Sequence, residues 1–171
     1  MNCAACGTQL IQRSSTPKAP YLYHASGLSN VFLSGITVHA CPLCKTEAPI
    51  IPRVGELHRA IADILSRKTA PLAGSEIRFL RKNIGIAGKK LAAVLGITPE
   101  TLSRVENGKQ SLRPGLEHLV RLMGRAAAGG ETMREAVLEV ADLLEGQRGE
   151  KGTIRPIQLK PDKRGGWKAA A

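Results

Sequence analysis

Residues 91–99 have the sequence LAAVLGITP, in which one helical pattern stops at a glycine and another begins two residues later. The small side chain of Ala92 and the absence of a side chain at Gly96 let two helices cross closely. Thr98 offers a capping hydroxyl, and Pro99 suits the first turn of a helix. The sequence therefore predicts two short helices that cross around a tight turn.

Helical periodicity continues on both sides of this turn, with glycine and proline marking the ends of the helices. The predicted helices run from a cap at Ser75 to Gly85, from Gly88 to Gly96, from Thr98 to Gly108, from Pro114 onward, and from Glu131 to Glu145. Five short helices over residues 74–146 predict a compact all-α domain.

The fifth predicted helix is acidic and has an apolar stripe formed by Met133, Val137, Val140 and Leu144. Such a stripe either closes the core of its own domain or forms the seam of a two-fold dimer. A dimer would bind paired half-sites about one turn of DNA apart. Because the helix is acidic, we expect it to face away from phosphates.

The third helix has a polar exposed face, as expected for a helix that lies in the major groove of DNA. Arg104 can donate two hydrogen bonds to guanine, and Thr101 can contact a thymine methyl group or a phosphate. Glu100 can accept from cytosine or cap the helix, and we favour capping. The other candidates suit phosphate contacts. The predicted DNA-binding residues are Lys89, Lys90, Glu100, Thr101, Ser103, Arg104, Asn107 and Lys109.

The charge of the chain supports a nucleic-acid partner. Lysine and arginine number 25 against 14 acidic residues, a formal charge of +11, which implies an anionic partner. Aromatic residues make up only 3% of the chain, whereas proteins that bind single strands stack the bases on aromatic rings. Double-stranded DNA is therefore the predicted partner.

Four cysteines form two CxxC pairs, Cys3 with Cys6 and Cys41 with Cys44. Two such pairs supply the four thiolates of a closed tetrahedral zinc site, which has no open position for catalysis. One structural Zn²⁺ is the predicted cofactor, and it can contribute on the order of 10 kcal/mol to folding. Two disulfides are the alternative that a cytoplasmic chain disfavours, and a thioredoxin-type redox motif would need one pair at a helix start.

The segment between the cysteine pairs has strand character, because aromatic and β-branched residues recur between turn-forming glycines. The predicted strands lie within Tyr21–Tyr23, Asn30–Leu33 and Ile36–Ala40, and a helix follows over Glu56–Arg67. His24 and His39 are alternative metal ligands in this region, although four cysteines suffice. Residues 1–67 thus predict a small zinc-binding, β-rich module with one helix. Residues 68–73 predict a linker to the helical domain, which makes the fold class α+β.

Residues 147–171 form a basic segment rich in glycine and proline, a composition that disfavours independent folding. One interpretation is a solvated, flexible tail. The other is a basic arm that follows phosphates beside a DNA-bound core.

Four motifs in the helical region resemble the phage-repressor (Xre/Cro-like) helix-turn-helix family. The motifs are Arg81-Lys-Asn-Ile-Gly85, Lys90-Leu-Ala92, Leu95-Gly-Ile-Thr98 and Ser103-Arg-Val-Glu-Asn-Gly-Lys109. The resemblance implies a lambda-repressor-like domain in which Arg81 and Glu106 form a structural ion pair. The family usually has a polar pair where Ala87 and Gly88 stand. DNA affinity would therefore depend more on the two following lysines and on the third helix. The MqsA-type antitoxins, which the chain also resembles, have an asparagine where Glu100 stands.

The layout of residues 1–124, a CxxC…CxxC module followed by this domain, also resembles the MqsA-type (YgiT zinc-finger) antitoxins. That resemblance implies a zinc module that binds a ribonuclease toxin and a helical domain that dimerises and represses its own operon. The leading hypothesis is thus a zinc-containing repressor that binds a palindromic operator as a homodimer and serves as the antitoxin of a type II toxin–antitoxin system. The alternatives are an Xre-type regulator without a toxin partner and an interaction module that has lost DNA binding.

The sequence offers no sign of an enzyme or a membrane protein. It contains no serine–histidine–acid arrangement and no phosphate-binding glycine loop, so we expect no enzymatic activity. No stretch approaches the roughly 20 apolar residues that span a bilayer, and residues 1–3 do not resemble the start of a secretory signal. These features predict a cytoplasmic protein.

Overall fold

The computed structural model describes residues 1–129, 156–162 and 165–169, which divide into two compact units. The first unit contains residues 1–25 and 29–57 together with the described C-terminal residues. The second contains residues 26–28 and 58–129 of the described chain. The first is rich in β-strands and holds the four cysteines, and the second is helical, so the α+β fold class is confirmed.

An antiparallel three-stranded sheet carries the cysteine pairs of the first unit. It consists of β1 (Ile11–Ser14), β4 (Thr37–Ala40) and β5 (Glu47–Ile50), in the order β1-β4-β5. Ala40, which precedes Cys41, pairs with Ile11 on one side and with Glu47 on the other. The segments that follow the two CxxC pairs therefore meet at one end of the sheet. Pro49 is accommodated because β5 is an edge strand.

The second sheet pairs strands from the N-terminal region with strands from the described C-terminal residues. It contains β2 (Tyr21–Leu22), β3 (Val31–Leu33), β6 (Ile157–Pro161) and β7 (Trp167–Ala169) in that order, and β3 pairs with β6 in parallel. The sequence predicts either a solvated tail or a basic arm for residues 147–171, whereas the described part of this segment forms two strands. The physical reason is that β3 supplies a hydrogen-bonding edge and that Ile157 and Leu159 bury one face of β6.

Five α-helices lie in the described residues: α1 (Val54–Arg67), α2 (Gly74–Ile84), α3 (Gly88–Val94), α4 (Pro99–Glu106) and α5 (Pro114–Ala128). All five follow predicted helices closely, with α1 over the predicted Glu56–Arg67 helix, left-handed Gly85 after α2, Thr98 before α4 and Pro114 opening α5. The fifth helix predicted for the DNA-binding domain, Glu131–Glu145, lies outside the described residues.

The start of α2 corrects one prediction, because the helix begins at Gly74 and its cap is Ala73 rather than Ser75. The Glu76 carboxylate accepts a hydrogen bond from the Ala73 N–H at 2.7 Å, which replaces a side-chain cap. Gly74 is required here because a Cβ atom at this position would lie 2.1 Å from the carbonyl oxygen of Val105. The first residue of α2 therefore touches the backbone of α4.

A buried arginine holds the predicted linker against α5. Arg121 is fully buried, and its Nη2 donates to the Ala70 carbonyl at 2.8 Å and to Glu117 Oε1 at 2.7 Å. The same Glu117 oxygen accepts from the Leu72 N–H at 3.1 Å. Residues 70–72 are thus fixed by hydrogen bonds within the helical unit.

Candidate metal centre and nucleic-acid interface

The Sγ atoms of Cys3, Cys6, Cys41 and Cys44 all lie within 4.8 Å of one another. The pairs Cys3–Cys44, Cys6–Cys41 and Cys6–Cys44 are 3.5, 3.4 and 3.6 Å apart. Zinc–sulfur bonds of about 2.3 Å in a tetrahedron would place the sulfur atoms about 3.8 Å apart. The four cysteines could therefore hold one metal ion. Neither histidine proposed as an alternative ligand belongs to this group within the described chain.

The two cysteine pairs lie in matching backbone turns. In the first turn the Cys3 N–H donates to the Thr8 carbonyl at 2.8 Å, and in the second the Cys41 N–H donates to the Thr46 carbonyl at 2.9 Å. The carbonyl of the first cysteine accepts, in each turn, from the residue four positions later. Repetition of the same loop presents two sulfur atoms from each turn to a common centre.

The residue after each second cysteine has a left-handed backbone, with φ of 74° at Gly7 and 61° at Lys45. Glycine adopts this conformation without strain, whereas a lysine there is uncommon. Both residues donate the N–H that closes the turn on the first cysteine of the pair. The two cysteine turns thus share one backbone geometry, although the residue with the left-handed backbone differs between them.

Two threonines that sequence analysis missed contact the exposed cysteines. The Thr8 hydroxyl lies 3.4 Å from Cys6 Sγ, and the Thr46 hydroxyl lies 3.2 Å from Cys44 Sγ. The hydroxyl and main-chain N–H of Thr46 lower the pKa of Cys44 to about 6, and those of Thr8 lower the pKa of Cys6. Because the thiolate is the form that binds metal, both threonines favour the ligating state. The repeated pattern Cys-x-x-Cys-x-Thr was the available signal.

The turn between α3 and α4 positions the candidate DNA-binding helix. Gly96 has a left-handed backbone with φ of 64°, which redirects the chain between the two helices. The Thr98 hydroxyl then accepts from the Thr101 N–H at 3.2 Å and caps α4. The main-chain N–H of Glu100 and then the Thr98 hydroxyl lower the pKa of the Glu100 carboxyl, as expected for an acid at a helix start.

An ion pair joins α2 to the end of α4. Arg81 donates from Nε to Glu106 Oε1 at 2.6 Å and from Nη2 to Oε2 at 3.0 Å. Arg78 adds a third hydrogen bond, from Nε to Oε2 at 3.2 Å. Burial raises the pKa of Glu106, but the hydrogen bonds and charges of Arg81 and then Arg78 outweigh it and lower the pKa. The carboxylate therefore stays ionised and fixes α4 against α2.

Most of the predicted DNA-binding side chains lie on the accessible surface of α3 and α4. Seven are exposed: Lys89, Lys90, Glu100, Ser103, Arg104, Asn107 and Lys109. Thr101 is half-buried, and its hydroxyl lies 3.1 Å from that of Thr98. Asn107 is exposed but already hydrogen-bonded within the chain, to Arg78 and to Ser103.

The part of the chain that the structure describes contains no helix that is both long and apolar enough to span a membrane.

Comparison with protein families identifies the helical region. Residues 77–123 match the model of a family described as helix-turn-helix. Members of this Xre-like class are DNA-binding transcription regulators, so the match indicates this function for the matched part. It covers most of α2, the α3–α4 pair and most of α5. No curated protein matches the chain.

Proposed function

We propose that this protein is a sequence-specific repressor that binds a palindromic operator in double-stranded DNA as a homodimer. The observation that carries the proposal is the exposed face of α4, which projects Arg104 outward from a helix held by the part-buried Arg81–Glu106 pair. A helix fixed in this way can enter a major groove without losing its orientation. An arginine on its outer face is the side chain best suited to read guanine.

Basic residues around α4 supply the phosphate contacts in this account. Lys89 and Lys90 are exposed at the start of α3, and Lys109 is exposed after the end of α4. Such contacts position a protein on DNA and make its affinity depend strongly on salt. Glu100 lies in the first turn of α4, where its negative charge favours the helix start, and we assign it no base contact.

The four cysteines bind one structural Zn²⁺ in the proposed protein. Cys3 and Cys41 are buried, whereas Cys6 and Cys44 are exposed at the outer side of the two turns. Since all four ligand positions are taken by sulfur, no position is left for water or substrate, and the ion would serve folding alone. This agrees with a cytoplasmic, non-enzymatic regulator.

We further propose that the protein is the antitoxin of a type II toxin–antitoxin pair and that it binds a ribonuclease toxin. Support comes from the order of its parts, since a four-cysteine module precedes the helix-turn-helix domain. The antitoxin role and the DNA-binding role are separate claims and require separate tests.

Gel-shift titration of the intact protein against the duplex upstream of its own gene tests DNA binding. We expect a shift at lower protein concentration than with an unrelated duplex of equal length, and a negative slope of log affinity against log salt. The absence of any shift would favour an interaction module that has lost DNA binding.

Co-expression with the neighbouring reading frame tests the antitoxin role. We expect the neighbour alone to arrest growth and this protein to relieve the arrest. If DNA binding is found and no arrest is relieved, the protein is a regulator without a toxin partner.

A further inference from the structure

We infer that Arg78 is a positioning residue that orients the amide of Asn107 toward a DNA phosphate. Arg78 lies on α2 and donates from Nη2 to Asn107 Oδ1 at 2.7 Å. Asn107 follows the last residue of α4, at the edge of the proposed interface. The inference rests on the proposed DNA-binding function and concerns the same surface.

The amide of Asn107 has one favoured orientation, because its oxygen and its nitrogen contact different kinds of partner. Its oxygen accepts from Arg78, and its nitrogen donates to the Ser103 carbonyl at 2.8 Å. If the amide were flipped, an N–H₂ group would face the guanidinium and an oxygen would face a carbonyl, and both contacts would be repulsive. Arg78 therefore keeps the N–H₂ group of Asn107 directed toward the last turn of α4.

This orientation determines which ligand Asn107 can bind. An amide nitrogen carries two hydrogens, and the Ser103 carbonyl takes only one of them. The other acceptor of this nitrogen is the Ser103 hydroxyl, at the longer distance of 3.4 Å, so the second hydrogen can bond a stronger incoming acceptor. A backbone phosphate of DNA is such an acceptor, whereas the amide oxygen would be repelled by it.

Arg78 itself is held in place by the ion pair beneath it. Its Nε donates to Glu106 Oε2 at 3.2 Å, so one guanidinium bridges the buried carboxylate and the exposed amide. Arg81 pairs with both oxygens of Glu106 at 2.6 and 3.0 Å, and we expect this pairing to persist when Arg78 is replaced. A change at residue 78 is thus separable from loss of the α2–α4 ion pair.

A direct contact between Arg78 and DNA is the competing explanation, since its side chain is 39% exposed. The two explanations differ in the salt dependence of binding. A basic residue that neutralises a phosphate contributes about 0.9 to the slope of log affinity against log salt, whereas a neutral amide contributes none. They also differ in whether the effect of Arg78 requires Asn107.

The experiment measures the affinity of wild type, Arg78→Gln, Asn107→Ala and the double variant for the duplex upstream of the gene, over a range of salt concentrations. We expect each single variant to lose roughly tenfold in affinity, as for a lost hydrogen bond to a charged group. The double variant should lose no more than either single variant, and the salt slope of Arg78→Gln should equal that of wild type. Arg59→Gln is the matched control, because it removes an exposed arginine from α1 and should bind as wild type does.

Arg78→Lys keeps the charge and removes the fork that reaches Glu106 and Asn107 together, so it should lose as much affinity as Arg78→Gln. Full affinity of Arg78→Lys, an additive loss in the double variant, or a slope lowered by about 0.9 would overturn the inference while leaving DNA binding intact. Failure of the wild-type protein to bind the duplex would overturn the proposed function and this role with it. Thermal unfolding of each variant shows whether an affinity loss comes from an unfolded fraction.

Discussion

Arg81 donates to both carboxylate oxygens of Glu106, at 2.6 and 3.0 Å, and so joins α2 to the end of the exposed helix α4. The carboxylate is only 8% exposed, and burial alone would favour its neutral form. Two arginines reverse that preference. The orientation of the proposed DNA-binding helix thus depends on a charge inside the domain.

We predict that this pair makes the helical unit sensitive to acid. The pKa of Glu106 is lowered in the folded protein from its ordinary value of about 4.5. A lowered folded pKa contributes stability that is present above the unfolded value and is lost as the pH falls through the folded value. We expect the free energy of unfolding, measured by urea denaturation, to fall below about pH 4.5.

Glu106→Gln should be less stable than wild type at pH 7 and should lose less stability than wild type between pH 5 and pH 3 (roughly the range in which a carboxyl titrates). Glu56→Gln is the control, since its carboxyl belongs to an exposed pair with Arg53. Parallel stability curves for wild type and Glu106→Gln would contradict the prediction.

The close contact at Gly74 leads to a second prediction. A Cβ atom there would lie 2.1 Å from the Val105 carbonyl oxygen, so Gly74→Ala must push α2 away from α4. We expect a loss of about 2 kcal/mol or more in the free energy of unfolding, measured by circular dichroism in urea. Gly115→Ala is the matched control, because nothing lies within 4 Å of its Cβ position. Equal stability of the two variants would show that the contact at Gly74 is not required.

Features that depend on neighbouring residues could be predicted from the sequence, whereas contacts between distant residues, such as Gly74 and Val105, could not. Helix ends could be predicted because Gly85, Thr98 and Pro114 each act locally through backbone conformation or capping. The grouping of the cysteines could be predicted because CxxC spacing fixes the shape of each turn. The Arg81–Glu106 pair was implied by family resemblance and not by the residues themselves.

Features that depend on distant partners could not be predicted in this way. β6 forms because β3 offers it an edge, and β1 and β5 have little strand character of their own. The start of α2 was predicted at Ser75 because the hydrogen bond from the Ala73 N–H to the Glu76 carboxylate could not be foreseen. The contact between Arg78 and Asn107 requires α2 and α4 to cross, which only the fold determines. The domain boundaries inferred from the sequence remain predictions.

A third prediction concerns the metal. Trp167 is the single tryptophan of the chain, and its Nε1 donates to the Pro52 carbonyl at 3.2 Å within the β-rich unit. We expect native mass spectrometry to find one Zn²⁺ per chain. A strong chelator should then shift the fluorescence of Trp167, because the ion contributes on the order of 10 kcal/mol to folding.

Cys44→Ser tests the same site without opening a cavity, since Cys44 is exposed. This variant should lose zinc and show the fluorescence of the chelated protein. His39→Ala is the control and should keep both the metal and the wild-type spectrum. A zinc-free wild-type protein with unchanged fluorescence would contradict a structural zinc site.

If α4 contacts bases through Arg104, loss of that side chain should reduce sequence discrimination. The most direct measurement compares Arg104→Ala with wild type on two duplexes, the upstream region of the gene and an unrelated sequence. We predict that the variant loses roughly tenfold or more in affinity for the upstream duplex, because a bidentate contact with guanine contributes about 1–3 kcal/mol. Affinity for the unrelated duplex should fall far less, so that the variant discriminates poorly between the two. Unchanged discrimination in a folded Arg104→Ala protein would contradict the account.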